Sequence, residues 1–214
     1  IKHNINLNIM NFKNITVAGS GVLGYQIAFQ TAFSGFKVTV YDITDEVLEK
    51  AKAKFQSLSE SYKKDLNVTQ EQLDETFKNL SYNSDLAEAV KDADLLIEAV
   101  PENPEIKIDF YKKLAPLAPE KTVFATNSST LLPSQFAEVT GRPNKFIALH
   151  FANEIWIHNT AEIMGHAGTD KAVFDDLVAF AKAIGMIALP VLKEQPGYIL
   201  NSLLVPFLHA ATNV

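Results

Sequence analysis

The sequence predicts an α/β fold with a doubly wound, mainly parallel sheet, and three observations carry that expectation. Short apolar runs alternate with longer amphipathic ones from about residue 14 to residue 191, the pattern of strands joined by crossover helices. The first apolar run, Asn14–Ala18 (NITVA), passes directly into a glycine-rich turn. The second, Lys37–Tyr41 (KVTVY), ends on an acidic residue, Asp42.

A helix is expected from about Val22 to Ser34 between those strands. Thr44 is placed to cap a long helix from Asp45 to Lys64, acidic in its first turn and lysine-rich later, as the helix dipole favours. Thr69–Asn79 reads as a polar helix beside it, Leu80–Tyr82 as a weak strand, and Ser84 as the opening of a short helix. Asp94–Val100 and Thr122–Thr126 are the next strands, flanking a helix through Lys107 and Leu114. Lys145–Phe151 and Asn159–Met164 follow as strands, then an amphipathic helix over Asp170–Ile184 and a last strand, Met186–Val191. The polar stretch Lys193–Gly197 (KEQPG) ends in a helix-breaking Pro-Gly pair and is the expected domain boundary. The division expected is residues 1–9 as an expression remnant or disordered leader before a start at Met10, a nucleotide-binding domain over 10–194, and the beginning of a helical domain over 195–214. Tyr198–Ala211 (YILNSLLVPFLHAA) is apolar on most sides, so it needs a surface to bury it. Truncation of a longer chain is the expected reason that so little follows.

With 214 residues, 47% of them hydrophobic, the chain can build one good core and start a second. A net charge of −6 and the absence of a basic stripe argue against a nucleic-acid partner. There is no cysteine, which excludes disulfides and thiolate metal sites. No run approaches the length of a membrane span, and the amino terminus lacks the arrangement of a signal peptide. A cytoplasmic protein is expected. His150, His158 and His166 are spaced by eight, which suits neither a helix face nor zinc ligation; no metal is expected, and the latter two are read as surface residues.

Gly19-Ser20-Gly21-Val22-Leu23-Gly24 has the G-x-G-x-x-G spacing in a strand–turn–helix context. Gly19 permits the tight turn, Gly21 lets backbone approach a pyrophosphate, and Gly24 lets helix pack on strand. The helix start, with Val22 and Leu23, offers free N–H groups and a positive dipole end to phosphates. Asp42 lies 18 residues after Gly24, where an acidic side chain hydrogen-bonds the adenosine ribose and repels a 2′-phosphate. NAD is therefore expected over NADP, with flavin as the competing cofactor. The plain alternative for Asp42 is a cap on the following helix, with Thr44 as its competitor.

A second constellation lies downstream. Asn127-Ser128-Ser129-Thr130 follows the fifth strand, then Leu149-His150-Phe151-Ala152-Asn153, then Glu162, then Pro196-Gly197-Tyr198-Ile199-Leu200-Asn201. Taken singly these are a turn, a core histidine, a solvent-facing glutamate and a helix start. Their order and spacing resemble the L-3-hydroxyacyl-CoA dehydrogenase family, which carries N-x-S, then L-H-F-x-N, a Glu on the next strand and P-G-[FY]-x-x-N. The resemblance runs from Phe12 to the chain end and includes Glu98–Asn103 (EAVPEN) with Lys107 after it.

It implies a Rossmann-type domain followed by an all-helical dimerisation domain, a homodimeric parent and an acyl-CoA substrate. His150 then matches the base that takes the 3-hydroxyl proton, a task suited to an imidazole. Glu162 matches its orienting partner, and Ser129 and Asn201 match residues at the substrate oxygen. Glu102 and Lys107, with Asn127 and Ser129, match contacts to the nicotinamide half of the cofactor. The long helix after Asp42 is expected to offer CoA a serine and a lysine, with Ser57, Ser59, Ser61, Lys63 and Lys64 as candidates. The usual family text after the histidine is close to FFNPV, whereas this chain reads FANEIWIHN, with Glu154 in place of proline and Trp156 beyond. A bulky Trp156 suggests a shortened acyl pocket and a short-chain substrate such as 3-hydroxybutyryl-CoA. The alternatives keep the fold: a dehydrogenase of a non-CoA 3-hydroxy acid or sugar acid, a silent NAD-binding protein, or an adenylate binder that would leave the His–Glu pair unexplained.

Overall fold

A computed structural model describes residues 11–212; the leader expected over residues 1–9 lies outside them. The chain runs β1 (Asn14–Ala18), α1 (Gly24–Phe33), β2 (Lys37–Tyr41), α2 (Asp45–Leu66), α3 (Gln70–Lys78), β3 (Leu80–Asn83), α4 (Leu86–Val90), β4 (Leu95–Glu98) and α5 (Pro104–Leu114). β5 (Val123–Thr126), β6 (Phe146–Phe151), β7 (Thr160–Met164), α6 (Lys171–Ala183), β8 (Ile187–Val191) and α7 (Leu200–Thr212) complete it. The strands form one eight-stranded sheet in the order β3-β2-β1-β4-β5-β6-β7-β8.

Every neighbouring pair is parallel except β6 with β7. The exception has a simple cause. Only residues 152–159 join β6 to β7, and a parallel return needs a crossover of about a dozen residues or more. The chain winds outward from β1 through β2 to β3, then crosses back to β4 on the other side of β1. The glycine turn after β1 thus sits at the switch point where ligands bind in such sheets.

α1 starts at Gly24 rather than near Val22, because residues 21–23 turn the chain out of the strand before it coils. Most of α1 is buried, pressed between the sheet and the pair α2 and α3. Leu48, Ala51, Phe55, Leu58 and Tyr62 make the buried stripe of α2, at the three- and four-residue steps of one helix face. Phe29 meets the rings of Phe55, Tyr62 and Phe77, which joins α1, α2 and α3 into one aromatic core. Thr44 caps α2 through Val47 N–H, and Thr69 with Gln72 forms a capping box on α3. Asp85, not Ser84, caps α4.

The loops around residues 115–145 are held by Arg142. Its guanidinium donates to the carbonyls of Ala115, Ala118, Pro119 and Thr122 and lies over the Phe124 ring. These carbonyls lie at and after the α5 C-terminus, where a cation is favourable. His166, expected at the surface, is half-buried: one ring nitrogen meets the Pro143 carbonyl and the other accepts from Gly168 N–H. His158 is exposed. No described helix is long and apolar enough to cross a membrane. α7 leaves Leu203 70% and Phe207 69% exposed, so its apolar face is uncovered by the described residues.

Candidate active site

The site is assembled at the carboxyl ends of β1, β4, β5 and β6, with β7 and the start of α7 closing one side. The glycine turn serves two different ends. A Cβ on Gly24 would stand 1.8 Å from the Gly19 carbonyl oxygen, and one on Gly19, which has φ +98°, would stand 2.6 Å from the Ala99 carbonyl. Packing therefore explains both. A Cβ on Gly21 would meet nothing within 4 Å, so no protein contact accounts for that glycine, whereas a phosphate against the backbone does. Val22 beside it is 65% exposed, open to a ligand, and Leu23 is the residue from which α1 departs.

Asp42 stands at the same turn. One carboxylate oxygen accepts from Ser20 N–H at 2.8 Å and from the Ser20 hydroxyl at 2.6 Å, and the other accepts from Ile43 N–H. The α2 cap is Thr44, so helix capping does not explain Asp42. The turn and its acidic neighbour fit a dinucleotide.

Beneath the turn lies a group that the sequence reading did not single out. Glu98, the last residue of β4, is fully buried and accepts four hydrogen bonds: from Lys107 Nζ at 2.6 Å, Val100 N–H at 2.9 Å, Tyr111 Oη at 2.9 Å and Thr126 Oγ1 at 2.7 Å. A buried charge pair loses several kcal/mol of hydration per ion, so it persists only with its lone pairs satisfied in this way. Burial, and then the adjoining Glu98 carboxylate, push the Tyr111 phenol well above its ordinary value, so it remains a donor. Lys107 is itself 1% exposed and reaches Glu102 Oε2 at 3.4 Å. Its head group is thus committed to an internal ion pair. The one available signal was an acidic residue ending an apolar strand, within the EAVPEN segment.

Glu102 Oε1 grips the turn after β5. It accepts from Ser128 Oγ, from Ser129 N–H at 3.0 Å, and from Thr130 N–H and Oγ1. Asn127 ties the same turn to β6, its Oδ1 accepting from Phe151 N–H at 3.1 Å. These contacts place Ser129 Oγ 3.2 Å from His150 Nε2. Asn201 Nδ2 lies 3.5 Å from the Ser129 carbonyl oxygen, so Ser129, His150, Glu162 and Asn201 are brought together.

The antiparallel register sets His150 directly opposite Glu162, and residues so paired project on the same face. His150 Nδ1 is 2.8 Å from Glu162 Oε2, with His150 5% and Glu162 2% exposed. The glutamate on this strand is therefore buried, not solvent-facing. A carboxylate only accepts, so Nδ1 carries the proton and Nε2 offers its lone pair toward Ser129. Glu162 Oε1 accepts from Ile199 N–H at 2.8 Å and Leu200 N–H at 2.9 Å at the start of α7. Burial pushes the Glu162 carboxyl up, but the hydrogen bonds from His150, Leu200 and Ile199 outweigh it and hold it below its ordinary value. Glu102 is likewise held down: the Ser128 hydroxyl, the Lys107 ammonium and Thr130 outweigh its burial.

Both carboxyls bind protons more weakly folded than unfolded. Their contribution to stability is complete above the ordinary value of 4.5 and is lost as pH falls through the folded values. Urea melts between neutral pH and the acid range should show the fall in stability flattened in Glu102→Gln and in Glu162→Gln. Parallel curves for variants and parent would refute the assignment.

The segment after β6 departs from the family pattern and is anchored accordingly. The buried Gln26 of α1 donates to Asn153 Oδ1 and the Val22 carbonyl, and accepts from the Glu154 and Ile155 N–H groups. Trp156 Nε1 donates to Asp65 at 2.9 Å and its ring lies against Tyr62. The indole is thus committed to pinning this loop on α2, and the shortened-pocket argument built on Trp156 loses its footing. Of the candidate CoA contacts, Ser59 is buried and bonded to the Gln56 carbonyl, and Lys63 pairs with Glu60.

Residues 14–195 match the family model described as 3-hydroxyacyl-CoA dehydrogenase, NAD binding domain. The human mitochondrial hydroxyacyl-coenzyme A dehydrogenase is 35% identical over 204 residues, which cover 93% of this chain and 65% of that protein. The chain therefore spans a little under two thirds of the length of this relative. Among solved structures, a diketoreductase reported to carry out substrate-directed dual catalysis of dicarbonyl compounds is 55% identical with a TM-score of 0.92, covering 94% of this chain and 71% of its own. The (S)-3-hydroxybutyryl-CoA dehydrogenase of Ralstonia eutropha is 26% identical with a TM-score of 0.88, covering 94% and 70%. NAD is the cofactor of the domain so matched, in keeping with the glycine turn and Asp42. The chain belongs to the 3-hydroxyacyl-CoA dehydrogenase family and carries its NAD-binding domain.

Proposed function

We propose that the protein oxidises (S)-3-hydroxyacyl-CoA to 3-oxoacyl-CoA with NAD. The observation that carries this reading is the buried imidazole of His150, with Nδ1 on an ionised carboxylate and Nε2 3.2 Å from a serine hydroxyl. Bound NAD supplies the hydride acceptor; Gly19, Gly21, Val22, Leu23, Gly24 and Asp42 would hold its adenosine and pyrophosphate end. Glu102, Lys107, Asn127 and Ser129 would shape the nicotinamide end. His150 Nε2 takes the proton of the 3-hydroxyl, and Glu162 stabilises the imidazolium that forms. Ser129 Oγ donates to the same substrate oxygen, and Asn201 supports the Ser129 turn. In the reverse direction His150 returns the proton to the carbonyl oxygen. A domain division near residue 194, a cytoplasmic homodimer and an acyl-CoA partner belong to the same proposal.

A second reading is favoured by the 55% identity to the diketoreductase and by the altered residues 154–158: reduction of a CoA-free dicarbonyl compound by the same His–Glu–Ser set. NADH oxidation with acetoacetyl-CoA and with a diketo ester, each repeated on His150→Ala, separates the two. Turnover of acetoacetyl-CoA that depends on His150 supports the first reading. Turnover of the diketo ester alone replaces it with the second. NADH binding with turnover of neither would sink both and leave a silent NAD-binding protein.

A further inference from the structure

Tyr198 combines three features beside the reacting imidazole that packing alone does not require. Its ring stacks on that of His150, with centroids 4.7 Å apart and planes 24° from parallel. Its backbone has φ +54°, directly after Gly197 at +79°, a left-handed conformation that a bulky side chain rarely adopts. Its hydroxyl is buried without a hydrogen-bond partner among the described residues, so no hydrogen bond accounts for this side chain and the ring is the part left to explain. The side chain's apolar neighbours are Ala148, Met164, Val191 and Leu132. An aliphatic side chain would satisfy them without an orphaned hydroxyl.

The same turn also serves Glu162. By reversing the chain at residues 197 and 198, it delivers the N–H groups of Ile199 and Leu200 to Glu162 Oε1. The hydrogen bond at Nδ1 fixes one point of the imidazole, but the second side-chain torsion of histidine is broad, so the ring could still tip about that bond. A flat ring against its face removes this freedom. Strained backbone at a site of this kind is a recognised means of holding reactive groups in place.

We propose that Tyr198 is a positioning residue for His150, its ring locking the imidazole plane so that Nε2 stays aimed at Ser129 Oγ and the substrate oxygen. The aromatic face does this, and the hydroxyl is dispensable. The kinetic arm of the test rests on the function proposed above; the spectroscopic arm does not.

The His150 Cε1 proton, assigned by its loss in His150→Gln, is expected upfield in the parent from the ring current of Tyr198. It should stay there in Tyr198→Phe and move downfield in Tyr198→Leu. Tyr198→Met repeats the test with an unbranched side chain, should the leucine variant fold poorly. Tyr198→Phe should keep kcat within about twofold, whereas Tyr198→Leu should lose roughly 10- to 100-fold, the scale expected for a misaimed catalytic group. NADH affinity should be unchanged in both, which a general loss of structure would not allow. An unmoved proton in both aliphatic variants, or a loss in Tyr198→Phe equal to that in Tyr198→Leu, overturns the proposal. A parent that turns over neither substrate overturns the function reading instead, while the proton shifts still decide the placement.

Discussion

Replacing His150 with alanine is expected to lower kcat by about 10²- to 10⁴-fold, the usual worth of a positioned general base, with little change in NADH affinity. The expectation rests on position: Nε2 is the one nitrogen of the ring not engaged by Glu162, and it faces the serine hydroxyl. The substitution has a second consequence. Glu162, 2% exposed, loses the donor to Oε2 and keeps only the two N–H groups at the start of α7. Leaving a buried carboxylate oxygen unpaired costs more than the ~1–3 kcal/mol of a neutral acceptor, so the alanine variant should also melt earlier. His150→Gln separates the effects, because an amide can still donate to Glu162 but cannot serve as a base near neutral pH. Steady-state kinetics and urea melts on both variants decide the matter. A glutamine variant retaining more than about a tenth of the parent kcat would assign the proton transfer elsewhere.

The glycine turn offers the second large effect, because two of its glycines should respond in opposite ways. Gly24→Ala forces a methyl against the Gly19 carbonyl oxygen, 1.8 Å from the ideal Cβ position. That neighbour is backbone and cannot swing aside, so α1 must shift from β1. A destabilisation of about 3 kcal/mol or more is expected, at the upper end for overpacking. Gly21→Ala meets no atom within 4 Å, so its stability should stay within about 1 kcal/mol of the parent. NADH binding should nevertheless weaken by tenfold or more, a loss of at least about 1.4 kcal/mol, since the methyl occupies the space of the phosphate approach. Urea melts with fluorescence titration of NADH test both. Equal affinity for Gly21→Ala and the parent would remove the pyrophosphate from this turn.

The contrast between these glycines shows where sequence reading stops. Spacing gave each of the three glycines its own job, Gly19 the tight turn, Gly21 the approach of a pyrophosphate and Gly24 the packing of helix on strand. It could not show which atoms enforce those jobs: the Ala99 carbonyl against Gly19, the Gly19 carbonyl against Gly24, and no protein atom against Gly21. The strands β1 and β2 were legible to the residue, because apolar alternation and the glycine turn are written in adjacent letters. Helix starts were read less well: α1 begins two residues later than expected and α4 is capped by Asp85, since a cap depends on backbone direction as well as residue type. Trp156 was read as filling a pocket because only its size was visible; its partners Asp65 and Tyr62 are far away in sequence.

The sequence by itself determined the alternation of strands and helices and the dinucleotide turn with Asp42, while the set Ser129, His150, Glu162 and Asn201 came from the resemblance to the family's motifs. The first two follow from local periodicity and from backbone conformations that glycine favours. Only the tertiary structure decided that Glu162 is buried opposite His150, that Glu98 gathers four donors beneath the site, and that Tyr198 lies on the imidazole. The physical reason is the same in each case. Strand register, desolvation and ring stacking depend on which distant segments the sheet order makes neighbours, and a pairing shifted by one residue would turn His150 or Glu162 to the opposite face.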